Sequence, residues 1–315
     1  MKLNRREFAD RAGIGAASAL ISLSLAKAES PLAKIPPMRS TFNGVAVGAN
    51  TYSLPQLTLK DALRAFAEIG FGIAELHPRH VEPAFGPLGR GARMGLPTEQ
   101  QTSPATAARQ KLREWRLMVP LEQFEAIGTM FKAQNIFLYA YNMNYRDDFT
   151  DDELERSFQM TRALGCNVIT AVGSKQLFKR LDPLATKYKT WVAIHNEGDS
   201  IPTMADFEEV LKSAGPYTQM TLDIGHFVAS NSDPVACLEK HHKEIVNLHI
   251  KDRKKNGGAN LPFGQGDTPI KDILGMDRDR KYNIPVHVEW EVAGDDRVQK
   301  VKDCFEYCKN TLLRA

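Results

Sequence analysis

Cysteine is scarce in this 315-residue chain. Cys166, Cys237, Cys304 and Cys308 are too few and too irregularly spaced for a disulfide scaffold or a zinc ribbon. Cys304 and Cys308 stand one helical turn apart and read as packing residues, although an oxidising compartment leaves a bridge open. Long apolar runs are also missing. The stretch from Ala12 to Leu25 is shorter than the ~20 residues that a spanning helix needs, so no stable membrane anchor is expected. No internal repeat or low-complexity tract appears, and Gly257-Gly258 lacks the strand-to-helix setting of a phosphate loop. An excess of one charge sign is nearly absent: 41 Lys/Arg against 38 Asp/Glu gives +3.

What is present begins with an apparent address label. Asn4-Arg5-Arg6-Glu7-Phe8, a weakly polar run and Ala26-Lys27-Ala28 follow the pattern of a twin-arginine signal, with removal expected after Ala28. Gly13 and Gly15 make the same stretch a poor structural helix. Removing it takes away five basic and two acidic residues, leaving 36 of each sign from the 41 and 38. A neutral mature chain has no basic stripe for nucleic acid, so no nucleic-acid partner is expected. The expected location is the periplasm, reached in folded form through the twin-arginine export machinery, a route that allows a cofactor to be loaded beforehand.

The remaining residues, 29–315, fit one domain of α/β-barrel size. Strand-like runs recur eight times, at Val45–Thr51, Gly72–His77, Asn135–Tyr141, Asn167–Val172, Trp191–His195, Gln219–Asp223, Val246–Ile250 and Pro285–Trp290. Segments of helical period lie between them, such as Leu59–Ile69, Leu121–Ala133, Asp152–Leu164, Met204–Ala214, Pro234–Glu244 and Val298–Leu313. Strand and helix alternating eight times predict a parallel (β/α)₈ TIM barrel. Residues 78–120, rich in Gly, Pro and Arg, exceed ordinary loop length after the second strand, and such an insertion overhangs the active face as a lid. A surface excursion or dimer arm is the alternative, and a homo-oligomer stays open.

Polar residues unsuited to a core gather at the ends of the later strands: His195-Asn196-Glu197, Asp223-Ile224-Gly225-His226, His249-Ile250-Lys251-Asp252 and His287-Val288-Glu289-Trp290-Glu291. Barrel strand ends converge on one mouth, so imidazoles and carboxylates from four neighbouring strands can meet around a cation. Such a mixed set suits one divalent ion, Mn²⁺, Co²⁺, Zn²⁺, Fe²⁺ or Mg²⁺, among which the ligands alone do not select; Mn²⁺ is the favoured expectation. By contrast, His241-His242 lies on a helix leading into strand seven, away from the mouth.

The motifs Leu222-Asp223-Ile224-Gly225-His226, Leu248-His249-Ile250-Lys251-Asp252 and Val288-Glu289-Trp290-Glu291, with Pro262–Asp267 beside them, make the chain resemble the sugar phosphate isomerase/epimerase superfamily. Its members share a xylose-isomerase-like barrel, and relatives of inosose dehydratases and endonuclease IV belong with them. The resemblance implies one metal held from strands five to eight, with Asp223, His249 and Glu289 on three ligand positions. At the fourth, many epimerases carry Glu-Asn-His where this chain has His195-Asn196-Glu197. Kept register makes His195 the ligand; Glu197, two residues on along the same face, is the alternative ligand or a base.

The resemblance implies proton abstraction next to a carbonyl, with Glu289 or Glu197 as base and His226 as proton donor or hydroxyl contact, or alternatively as a supporting partner of Asp223. Lys251 would meet a developing oxyanion. Glu75, His77 and Asp252 are candidate substrate contacts, Asp252 alternatively a structural acceptor for loop amides. Asn50, Tyr52, Tyr141 and Asn142 offer further sugar-binding surfaces, and His80 lies in the expected lid. The leading expectation is an isomerase or epimerase acting on a small carbohydrate. A lyase cleaving 3-oxo-glycosides by β-elimination is the alternative, and a non-catalytic sugar-binding barrel the reading from another class.

Overall fold

The computed structural model describes residues 29–84, 104–198, 200–292, 294 and 296–314. Eight parallel strands form the barrel: β1 (Val45–Asn50), β2 (Ile73–Leu76), β3 (Phe137–Asn144), β4 (Val168–Val172), β5 (Trp191–His195), β6 (Thr218–Asp223), β7 (Ile245–Ile250) and β8 (Val286–Val288). Each pairs with the next. Val286 of β8 lies opposite Leu248 of β7 and Val47 of β1, which closes the ring.

Among the described residues, ten helices accompany the strands: α1 (Leu59–Ile69), α2 (Pro104–Met118), α3 (Leu121–Ala133), α4 (Asp151–Ala163), α5 (Lys175–Tyr188), α6 (Met204–Lys212), α7 (Ile224–Ala229), α8 (Pro234–His241), α9 (Ile270–Arg280) and α10 (Arg297–Leu313). Local sequence sets their ends. The Thr58 hydroxyl accepts from Asp61 N–H to start α1, and Gly70, at φ +114°, stops it in a conformation that favours glycine. Thr203 and Asp206 form a reciprocal capping box on α6, and Asp233 caps α8 immediately before Pro234. Helices α5 and α9 stand outside the periodic segments noted above; α5 carries Pro183 in its interior.

The lower end of the barrel is closed from within the chain. Leu32, Ile35 and Met38 pack beneath Ala46, Ile73, Tyr139, Val168, Trp191 and Val246. All four cysteines are buried and unbridged, so Cys304 and Cys308 are packing residues. Among the described residues, no helix is long and apolar enough to cross a membrane.

Of the expected lid, the described parts are a single 3₁₀ turn at Pro78–His80 and helix α2. Helix α2 is fastened to α4 by arginines that converge on one fully buried carboxylate. Arg109, Arg113 and Arg116 donate to Glu153 at 2.6, 3.1 and 2.8 Å, and Arg116 also donates to Glu82 at 2.7 Å. Residues 85–103, and the expected export signal at 1–28, lie outside the described residues.

Candidate active site and metal centre

Strand register brings four side chains to one point. Asp223 ends β6 opposite His249 of β7, His249 lies opposite His287 of β8, and Glu289 comes two residues after His287, on the same inner face. His195 ends β5. One nitrogen or oxygen from each of His195, Asp223, His249 and Glu289 lies within 4.8 Å of the others, and all four residues are buried. His195 Nε2 is 3.0 Å from His249 Nδ1 and 3.5 Å from Asp223 Oδ2, while His249 Nδ1 is 3.2 Å from Glu289 Oε1.

Supporting contacts decide which atoms remain for the cluster. Asp223 Oδ1 accepts from His226 N–H at 2.8 Å and so caps α7, leaving Oδ2 buried without a hydrogen bond. Asn196 spans β5 and β6, donating to Asp223 O and accepting from Asp223 N–H, each at 2.8 Å. His249 Nε2 meets Glu75 Oε2 at 2.5 Å, which turns Nδ1 toward the cluster. Glu75 also accepts from Asn50 at 3.2 Å, Thr170 at 2.5 Å and Asn247 at 2.7 Å. Burial alone would raise its carboxyl, but His249 and the hydrogen bonds hold it at about 2.

Lys251 supplies the opposing charge. Its Nζ is 2.6 Å from Glu289 Oε2, 3.0 Å from Asp223 Oδ2 and 3.1 Å from Glu291 Oε1, the Asp223 approach lacking hydrogen-bond alignment. Burial pushes the ammonium down, yet the three carboxylates hold it well above its ordinary value. Burial likewise pushes Glu289 up, and His249 and Lys251 outweigh it to keep the carboxyl well below the usual range. Gly225 makes room for this lysine, because a Cβ there would stand 2.3 Å from Lys251 Cγ.

A divalent ion fits this donor set. Two imidazoles and two carboxylates converge in a buried place, and Asp223 Oδ2 points there without a hydrogen bond. Among the described residues this is the one such group of His, Cys, Asp and Glu. His195, rather than Glu197, completes it. Glu197 is half-buried on the wall of the cavity above, a space of about 310 Å³ also lined by Tyr52, His77, Asn142, His226 and Lys251. A larger groove of about 420 Å³, lined by Glu208, Gly215, Thr218 and His241, holds no member of the cluster and opens at the start of β6.

Two expectations need correction, and Asp252 takes the structural alternative given for it. Glu75 is fully buried under His249, with every acceptor position engaged by protein, and is no substrate contact. Asp252 is equally buried and accepts from the backbone N–H groups of Gly264, Gly266 and Thr268 at 2.8, 2.9 and 3.2 Å, so it ties down the following loop. His226 lies between two cations, with Nδ1 2.9 Å from Arg253 Nη1 and Nε2 3.2 Å from Lys251 Nζ. Burial and then Lys251 push it down to about 4, so at neutral pH it holds no second proton to give. It remains on the cavity wall as a hydrogen-bonding group.

Of the weaker candidates, His77 reaches the wall and packs against Tyr52, ring centroids 4.6 Å apart. Tyr141 is buried against Phe124 instead, and Asn50 serves Glu75. His80 Nε2 lies 3.3 Å from Leu54 O. Asn144, Asn260 and Arg297 escaped sequence reasoning, and Glu291 was quoted without a role; all four are on the wall. Only Glu291 had a signal, its two-residue spacing from Glu289 on one strand face.

A family model described as a xylose isomerase-like TIM barrel matches residues 63–311. Over 119 residues the chain is 26% identical to L-ribulose-5-phosphate 3-epimerase UlaE of Escherichia coli (strain K12), covering 36% of this chain and 42% of that enzyme. Less than half the length of this curated relative is therefore spanned. The fold is similar to 3-keto-D-glucoside 4-epimerase, YcjR, from E. coli, with a TM-score of 0.61, 13% identity, and coverage of 84% of this chain and 99% of that one. It is also similar to an IOLI protein solved with a zinc atom, with a TM-score of 0.56, 17% identity, and coverage of 85% and 96%. At these identities the structural likenesses speak for the fold alone.

Proposed function

The chain belongs to the xylose isomerase-like TIM barrel family, and on that premise we propose that it is a divalent-metal-dependent isomerase-type enzyme that removes a proton next to the carbonyl of a sugar. The observation that carries this reading is the buried His195, Asp223, His249 and Glu289 cluster at the floor of a polar cavity. These four side chains would hold the ion, with Mn²⁺ favoured over Co²⁺, Zn²⁺, Fe²⁺ and Mg²⁺. A bound ion would polarise the substrate carbonyl and stabilise the negative charge that develops on its oxygen.

The residues do the rest. Glu289, ionised beside Lys251, accepts the proton from the carbon next to the carbonyl and returns it to the former carbonyl carbon, while the hydroxyl proton passes from the neighbouring oxygen to the carbonyl oxygen, which exchanges aldose for ketose. Lys251, 2.6 Å from Glu289, offsets charge as that proton moves. Glu197, another carboxylate on the wall, is the alternative base. His77, Asn142 and His226 orient hydroxyl groups.

One observation favours a second reading. The cluster contains a single glutamate, whereas two-base epimerisation uses a metal-ligating glutamate on each side of the carbon. A 3-oxo-glycoside needs one base and one acid: proton removal beside the ketone is followed by breakage of the glycosidic C–O bond, and the aglycone oxygen leaves with the electron pair and takes up a proton from water or from the protonated Glu289. YcjR, whose name specifies a 3-keto-D-glucoside, shares the barrel.

Elemental analysis of protein purified without chelator tests the metal, beside a His249→Ala/Glu289→Ala double variant. About one transition metal per chain, lost in the variant, is the expected result. If both are metal-free and added Mn²⁺, Co²⁺ and Zn²⁺ do not bind, the mechanism fails and a non-catalytic sugar-binding barrel takes its place. We also propose export to the periplasm on the strength of Arg5-Arg6; Arg5→Lys/Arg6→Lys would then hold the full chain in the cytoplasm, and unchanged fractionation would sink the idea.

A further inference from the structure

Among the described residues, the charges on the cavity wall are answered within the protein, with one exception. Lys251 faces Asp223, Glu289 and Glu291, and the second oxygen of Glu291 accepts from Asn260 Nδ2 at 3.1 Å. Arg253, behind the wall, is engaged by His226 Nδ1 and by Gly258 O, each at 2.9 Å. Arg297 differs. It is half-buried at the first position of α10 and lines the cavity, and its one hydrogen bond is a long one of 3.4 Å from Nη1 to Trp290 O. Among the described residues, no carboxylate pairs with it.

A guanidinium stays charged at every relevant pH and presents its donors as a planar fork. A neutral sugar filling the cavity would strip water from that cation without returning a counter-charge, which is unfavourable. A carboxylate would match the fork with two parallel, charge-assisted hydrogen bonds. A phosphate dianion would call for more positive charge than one arginine supplies, and Lys251 and Arg253 are already committed. We propose that Arg297 binds a carboxylate group of the substrate, so that the site selects an acidic sugar such as a uronate over its neutral counterpart. This rests on the reading of the cavity as a sugar site.

Equilibrium titrations of the Mn²⁺-supplemented protein with paired probes, D-glucuronate against D-glucose and D-galacturonate against D-galactose, test the assignment, with D-glucose 6-phosphate as a further arm. At least one uronate should bind roughly tenfold or more tightly than its neutral partner. Arg297→Gln should bring that ratio close to one, Arg297→Lys should retain part of it, and added salt should shrink it in the wild type. If neutral sugars bind as tightly as uronates, or Arg297→Gln leaves the ratio intact, the assignment is wrong while the sugar site stands. Preference for the 6-phosphate over both uronates overturns the carboxylate in favour of a phosphate. If no probe of either kind binds, the reading of the cavity fails, and the role of Arg297 fails with it.

Discussion

Glu75 Oε2 and His249 Nε2 stand 2.5 Å apart in the centre of the barrel, both fully buried. The contact does more than fill space, because it fixes which imidazole nitrogen carries the proton and leaves Nδ1 to face His195 and Glu289. A carboxylate behind a ligating histidine also makes the imidazole a better donor. Glu75→Gln keeps the shape but removes the charge and turns an amide NH2 toward two donors, so metal affinity should fall roughly 10- to 100-fold and the melting temperature should fall with it. Co²⁺ titration followed by its visible spectrum measures the affinity, and an unchanged value would show that Glu75 is mere filling.

Metal affinity should also depend on pH, with a definite sign. Burial would lower His249, but Glu289 and Glu75 outweigh it and raise the imidazole well above its ordinary value. Metal must displace a proton from a ligating imidazole. Apparent affinity should therefore fall as pH falls, by up to about tenfold per unit for one released proton while His249 stays protonated in the apo protein. Competition titrations from pH 6 to 8.5 check the slope; a flat profile would remove His249 from the ligand set.

Lys251 neutralises carboxylates that a metal would also neutralise, so the two substitute for each other in part. Lys251→Met leaves Asp223, Glu289 and Glu291 facing one another without this cation. Breaking a buried pair from one side costs about 3–5 kcal/mol, so the apo variant should melt markedly lower. Saturating Mn²⁺ should then raise the variant's melting temperature more than the wild type's. Equal gains would mean that Lys251 and the ion do not share a charge role.

The fold and the cluster were legible because both leave periodic traces. Eight strand runs at the expected spacing define the barrel, and a His, Asp or Glu at four successive strand ends marks the mouth. Choosing His195 over Glu197 needed only preserved register. Glu75 misled because a two-residue period tells which face a side chain occupies and not how deep it lies, and the register shift between Ala74 and Glu75 adds to the difficulty. The structural alternative for Asp252 had a signal of its own: its odd offset from His249 and Lys251 turns it away from the mouth. Arg297 left no trace, since it reaches the cavity from the start of a helix, after a loop whose path no pattern encodes.

Helix α2 depends on one buried carboxylate. Burial alone would raise Glu153, and Arg109 and Arg116 outweigh it to hold it below its ordinary value. Glu153→Gln would leave buried guanidinium groups without their shared counter-charge, at a cost of about 3–5 kcal/mol. Hydrogen exchange should show α2 losing protection well before the barrel strands. Uniform loss over the whole chain would mean that α2 and the barrel unfold as one unit.

Asp277, near the end of α9, gives the stability of the barrel a pH dependence of opposite sense to that of the paired carboxylates. Its Oδ1 accepts from Ile284 N–H at 3.1 Å just before β8, while Oδ2 is buried with no partner. Burial pushes this carboxyl up to about 7, above an unfolded value of about 3.9. The stability tied to its protonated form is fully present below the unfolded value and is lost as pH rises to about 7, with no further loss beyond. Three pH units correspond to roughly 4 kcal/mol. Asp277→Asn keeps an oxygen for Ile284 N–H and abolishes the ionisation, so it should be more stable than the wild type at pH 8, the advantage shrinking toward pH 5. Urea melts of both proteins at the two pH values decide the matter, and a difference independent of pH would show that Asp277 does not ionise in this range.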